Sequence, residues 1–109
     1  MPQPGEVWIA DIPFTSGTAS KLRPVLVLWT DAADVVVAAV TSASPRSLTD
    51  VALEDWSAAG LRVASTVRLS RLDCLEQKLL RRRLGIEPAY SNRSARTVIN
   101  SRGGTIWIP

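Results

Sequence analysis

Apolar positions along this chain fall mostly in short runs. In "GEVWIADIPF", Val7, Ile9 and Asp11 alternate with Trp8, Ala10 and Ile12, a β pattern with a single polar position. Both faces of that strand are therefore expected to be covered, with Pro13 stopping it. Residues 14–22 are a polar loop of Ser, Thr and Gly. "PVLVLWT" is short, β-branched and aromatic, so it reads as a strand with Pro24 at its first position. "DAAD" reads as a turn and "VVVAAVT", 35–41, as a second buried strand. Two apolar strands joined by so short a turn form an antiparallel hairpin.

Beyond the hairpin, "SASPRS" is another polar loop and "DVALE" a short strand. "DWSAAG" fits one helical turn with Gly60 as its stop. "RVASTVRLS" places Val63, Ser65, Val67 and Leu69 on one face, and Thr66, Arg68 and Ser70 on the other. The next stretch supports two readings. Leu72, Leu75, Leu79 and Leu80 follow helical spacing with Gly85 as a cap, whereas "KLLRRRLGI" equally suits an edge strand. Residues 87–103 show no clear period, and "TIWIP" reads as a final strand. Five or six short strands with little helix predict a mainly β chain with minor α, a small antiparallel barrel or strongly curved sheet.

A chain of 109 residues supports one domain, 1–109, with one core. Its longest apolar runs, 25–29 and 35–40, are far too short to span a bilayer, so no membrane association is expected. The N-terminus has no secretory pattern. Cys74 is the single cysteine, which rules out an internal disulfide and predicts a reducing, cytoplasmic home. It is expected to be a small buried residue. The net charge of +3 is unevenly spread. Residues 1–60 hold three cations and seven acids, −4; residues 61–109 hold ten cations and three acids, +7. Such a half either forms a solvated arginine face or attracts a polyanion.

No histidine is present, which removes histidine-based nucleophile systems and acid–base pairs. One cysteine and no histidine leave no transition-metal cluster, and no glycine-rich phosphate loop occurs. No cofactor and no metal are expected. The remaining inventory of cations, carboxylates and hydroxyls suits RNA cleavage by the substrate's own 2′-OH. In that reaction the protein orients the attack and stabilises charge on the phosphoryl oxygens. Arg23, between a loop and a buried strand, is placed for a phosphate, or for an ion pair with Asp11 or Asp50. Antiparallel pairing of the hairpin brings Thr41 beside it, as a phosphate ligand or as the cap of the following turn. Lys21, Ser42 and Arg46 flank that corner as RNA contacts or as solvated loop residues. Of Trp8, Trp29, Trp56 and Trp107, all able to stack bases, Trp56 is expected to be the most exposed.

"PGEVWIADIPFTSGTASKLRPVLVLW" followed by "VVVAAVTSASPRS" resembles the opening of the MazF/PemK toxins of bacterial toxin–antitoxin systems. "DVALEDWSAAGLRVASTVRLSRLDCLEQKLLRRRLG" continues the likeness, which covers about 4–86. The resemblance implies an SH3-like barrel shared with CcdB, a homodimer, and a sequence-specific endoribonuclease acting on single-stranded RNA. It further implies a cognate antitoxin that covers the RNA groove. The family's catalytic arginine and threonine fall on Arg23 and Thr41. The expected products are a 2′,3′-cyclic phosphate and a 5′-hydroxyl. Arg68 and Arg71 are expected to contact phosphates, and loops 13–22 and 42–48 to select the RNA motif. Glu54, Asp50 or a water would carry protons, with nothing in the sequence selecting among them. A CcdB-like poison of gyrase, or an inactive relative that binds RNA or antitoxin, is the alternative. The family's closing amphipathic helix has no counterpart in "IEPAYSNRSARTVINSRGGTIWIP".

Overall fold

A computed structural model describes residues 2–13, 19–87, 97–99 and 105–107, the last two segments as backbone. Six strands form one curved, open antiparallel sheet: β1 (Glu6–Pro13), β2 (Ser20–Asp31), β3 (Asp34–Thr41), β4 (Asp50–Ala52), β5 (Thr66–Glu76) and β6 (Leu80–Ile86). Their spatial order is β4-β5-β3-β2-β1-β6. Two further strands, β7 (Thr97–Ile99) and β8 (Thr105–Trp107), pair as a separate two-stranded sheet. Among the described residues, no helix is long and apolar enough to cross a membrane.

Both faces of the sheet are buried, as the doubly apolar strands require. Leu26 and Leu28 of β2 join Val7, Ala38, Val40, Val67 and Leu69 in one core. Val25 and Val27 join Ala10, Val35, Val37, Leu75 and Leu80 in another. Strict alternation along β2 and β3 thus feeds two clusters on opposite sides. Val51 and Leu53 from the β4 edge share the first core with Leu84 of the β6 edge, so the sheet curls around it.

The hairpin closes as expected, with Asp31 opposite Asp34 and Ala32–Ala33 as the turn. Ala32 carries φ 54, a left-handed value at the first central position of a two-residue hairpin. The strand reading of the arginine-rich segment is the correct one. Residues 66–76 run as β5, a 3-10 turn follows at Gln77–Leu79, and β6 is an edge strand. The helically spaced leucines share no single face: Leu72 is exposed, Leu75 and Leu80 are buried, and Leu79 lies in the 3-10 turn between the two strands, while a bulge interrupts β5 before them. Ala38 faces Leu72 while Ala39 faces Arg68, so 69–71 lie outside the ladder and the alternation flips. Leu69 therefore enters the first core and Leu75 the second.

Four other expectations are corrected. Pro24 lies inside β2, which starts at Ser20; the ladder to β3 ends at Val25, next to the residue that has no N–H to give. Thr66 is buried and Val63 exposed, because β5 begins only at Thr66 and is covered there by both β3 and β4. Cys74 is exposed, since beyond the bulge β5 has β3 as its one described neighbour. Trp56 is half-buried against the first core.

The "DWSAAG" turn forms and ends on Gly60 at φ 83. Leu61 N–H donates to the Trp56 carbonyl at 3.0 Å and Gly60 N–H to Ser57 at 3.0 Å, the paired bonds of a Schellman stop. This turn lies directly on β6. A Cβ at Gly60 would run into the Leu84 carbonyl, and one at Gly85 would come within 2.5 Å of the Ala58 carbonyl oxygen.

Candidate nucleic-acid site

The end of the β2–β3 hairpin away from its turn carries the predicted residues. Val25 pairs with Ala39 and Leu26 with Ala38. Continuing that register by two residues sets Arg23 across from Thr41. On its other side Arg23 pairs with Ala10 of β1, and Thr41 pairs with Thr66 of β5. Directly paired residues share a sheet face, with Cβ atoms about 4.5–5.5 Å apart. Ala10 and Arg23 form one pair, and Thr41, Thr66 and Ala52 another set, on the same face; the β2–β3 ladder itself stops at Val25, so only the continued register brings Arg23 towards Thr41. The next row on the same face reads Trp8, Val25, Ala39, Arg68, Asp50. Both rows continue the face of the second core, whose buried valines hold the strands rigid beneath them.

Arg23 is exposed, and among the described residues no hydrogen bond or ion pair engages its guanidinium. Neither expected carboxylate takes it. Asp11 accepts Arg81 Nη2 at 3.2 Å. Hydrogen bonding from Ser20, then from Arg81, holds its carboxyl below the usual value. Asp50 turns inward, accepting the Arg46 backbone N–H at 2.9 Å. Thr41 is half-buried and does cap the next turn: its Oγ1 accepts the Ala43 N–H at 3.2 Å. That bond uses an acceptor lone pair and leaves the hydroxyl proton to donate.

Lys21, two residues before Arg23 on β2 and exposed, shares its face. Ser42 and Arg46 are exposed on the loop that leaves β3. Arg68 is half-buried on the second row. Arg71 stands apart, exposed in the β5 bulge. The first selecting loop is shorter than its composition suggests, because β2 already begins at Ser20; residues 14–18 lie outside the described residues.

Of two further residues on this face, Thr66 has no site role in the sequence, and Asp50 is offered there only as an ion-pair partner of Arg23 or one of several proton carriers. Thr66 and Asp50 are both buried at 2 % exposure. Among the described residues, Asp50 Oδ1 has no hydrogen-bond partner. Period-two extension of "STVR" against β3 is the signal that points to Thr66; Asp50 needs the β4–β5 register. Among the described residues there is no cluster of three or more His, Cys, Asp or Glu side chains able to hold a metal ion.

The second-half arginines are partly spoken for. Arg83 Nε donates to Glu6 Oε2 at 2.6 Å, and Glu6 Oε1 accepts Gln3 N–H at 2.7 Å and Trp8 Nε1 at 3.1 Å. Burial would raise the Glu6 carboxyl, but the bonds from Trp8, Gln3 and Arg83 together hold it below its usual value.

Comparison with curated proteins finds no match. Among solved structures, the chain is similar to an endoribonuclease in complex with its cognate antitoxin from a mycobacterial species. The TM-score is 0.62 and the identity 24 %, covering 84 % of this chain and 85 % of that one. An endoribonuclease from a mycobacterial species gives TM-score 0.62 and 24 % identity over 84 % and 81 %. The Mycobacterium tuberculosis toxin MazF-mt6 gives 0.62 and 23 % over 83 % and 87 %. These likenesses establish the fold. The profile of the PemK-like, MazF-like toxins of type II toxin–antitoxin systems matches residues 3–100, and with that span the chain belongs to this toxin family.

Proposed function

We propose that this toxin is an endoribonuclease that cuts single-stranded RNA at specific sequences, using the substrate's own 2′-OH and no metal. Arg23 would hold the phosphoryl oxygens of the reacting phosphate, and the Thr41 hydroxyl would donate to the same group. The observation that supports the reading is the β2–β3 register, which continued two residues past its last pair sets Arg23 towards Thr41, with the guanidinium unengaged among the described residues. Arg23 lies within β2 just before its buried stretch and Thr41 ends β3, so little ordering is needed at the moment of reaction. Lys21, Ser42, Arg46, Arg68 and Arg71 would contact the RNA strand beyond that phosphate. Products would be a 2′,3′-cyclic phosphate and a 5′-hydroxyl.

The reading extends to a homodimer acting in the cytoplasm and neutralised by a cognate antitoxin. The fold's likeness to an endoribonuclease that binds its antitoxin supports that partner. The test is incubation with a long single-stranded RNA in the presence of a chelator, for the wild type, Arg23→Ala and Thr41→Ala. Discrete cuts bearing 5′-hydroxyl ends, lost in both folded variants, are expected. RNA left intact by the folded wild type would overturn the proposal and turn attention to gyrase binding.

A further inference from the structure

Asp50 is a buried group that the sequence offers only as an ion-pair partner of Arg23 or as one of several proton carriers. Its Oδ2 accepts the Arg46 N–H at 2.9 Å, and its own N–H donates to the Ser47 carbonyl at 3.1 Å. Its Oδ1 is buried without a donor among the described residues. Buried polar atoms in folded proteins almost always have partners, so such an oxygen calls for an explanation. Directly opposite, on β5, stands Arg68. Arginine offers five donors in a fixed fork and no acceptor. No ion pair joins the two side chains here. An unmet acceptor and a supply of donors thus face each other across one strand gap.

Distance decides which role Asp50 can take. Asp50 and Thr41 are separated by the whole of β5 and by one row along it, so they lie about 12 Å apart. That is beyond hydrogen-bond reach of a phosphate seated at Thr41, and Asp50 cannot touch the reacting atoms from there. Arg68 can. It pairs with Ala39 on one side and with Asp50 on the other, one diagonal step from Thr41. Diagonal neighbours are about 7–8 Å apart, within reach of a long side chain.

We infer that Asp50 is a positioning residue for Arg68, its open Oδ1 forming a seat for one edge of the guanidinium. The other edge of the fork then faces the phosphate held by Arg23 and Thr41. The inference rests on the ribonuclease reading and deepens it. The same carboxylate fastens the 42–49 loop through Arg46 N–H, so loop and arginine share one anchor.

A double-mutant cycle on RNA cleavage tests this, with Asp50→Asn, Arg68→Ala and the pair. Asparagine keeps an oxygen to accept from Arg46 N–H and removes the charge that seats the guanidinium. Each single variant is expected to lower kcat about 10- to 100-fold with KM changed less than threefold. The pair is expected to be no slower than Arg68→Ala alone. Melting curves identify any variant that does not fold, and Asp50→Ser, small and still an acceptor, then replaces Asp50→Asn. Wild-type cleavage by Asp50→Asn, or two losses that multiply in the pair, overturns the inference and leaves the ribonuclease reading intact. A folded wild type that cuts no RNA overturns both.

Discussion

At the scale of single residues, the site rests on which side chains are already engaged. Asp11 and Glu6 hold Arg81 and Arg83, and Asp50 holds a loop N–H, so Arg23 has no described carboxylate as partner. Arg23→Ala should therefore leave the melting temperature nearly unchanged while lowering kcat about 100- to 1000-fold, the cost of removing one preorganised charge stabiliser. Thr41 caps the next turn and, in the proposed reaction, also donates to the phosphate, and two substitutions test the pair of roles together. Thr41→Ser retains the hydroxyl and the cap to Ala43 N–H, and should keep most of the cleavage. Thr41→Ala loses both, and should also cost about 1 kcal/mol in a denaturant titration. Glu6 gives a pH prediction. Its carboxyl is held low in the folded state, so its stabilisation is present above the unfolded value of about 4.3 and is lost as pH falls through the folded value. Glu6→Gln should be less stable at pH 7 by about 1.5–3 kcal/mol, and its stability should fall less on acidification than the wild type's. Equal acid sensitivity of the two proteins in urea melts would contradict that assignment.

At the scale of elements, apolar alternation was a good guide wherever a strand obeyed it throughout. The hairpin 24–41 was legible because Val25, Val27, Val35 and Val37 serve one core while Leu26, Leu28, Ala38 and Val40 serve the other. The β5–β6 region was not, because the bulge at 69–71 breaks the strand period and the 3-10 turn at Gln77–Leu79 then spaces Leu75, Leu79 and Leu80 as in a helix. Cys74 was misjudged for the same reason: its exposure depends on where β5 loses its second neighbour, a property of topology rather than of local composition. The Gly60 stop was legible locally, but its docking on β6 was not. Gly85→Ala would place a methyl against the Ala58 and Ala59 backbone and should destabilise by about 1–3 kcal/mol. Ala32→Gly should have the opposite sign. It relieves a left-handed alanine in the hairpin turn, and a gain of about 0.5–1 kcal/mol should appear as a higher melting temperature.

At the scale of the whole molecule, the charge imbalance along the sequence is partly cancelled by folding. Residues 6 and 11 of the acidic half pair with 83 and 81 of the basic half, across β1 and β6. The cations left on the candidate face are Lys21, Arg23 and Arg68, with Arg46 on the loop beside it. The hairpin that would bring Arg23 towards Thr41 was legible in the sequence; the placing of Thr66 and Asp50 on the same face needed the register of two further strands. If those four cations each meet a phosphate, binding of an uncleavable single-stranded analogue should fall with salt at a log–log slope near −3. Lys21→Ala should reduce that slope by about 0.7, read by fluorescence anisotropy. The central claim is that the substrate's 2′-OH is the nucleophile. It is tested most directly with a short RNA containing one cut site, compared with the same strand bearing a single 2′-deoxy sugar at that site. The account predicts that the all-RNA strand is cut in chelator to a cyclic phosphate and a 5′-hydroxyl, and that the substituted strand stays whole. Cleavage of the substituted strand at the same bond, or none of either strand, would contradict it.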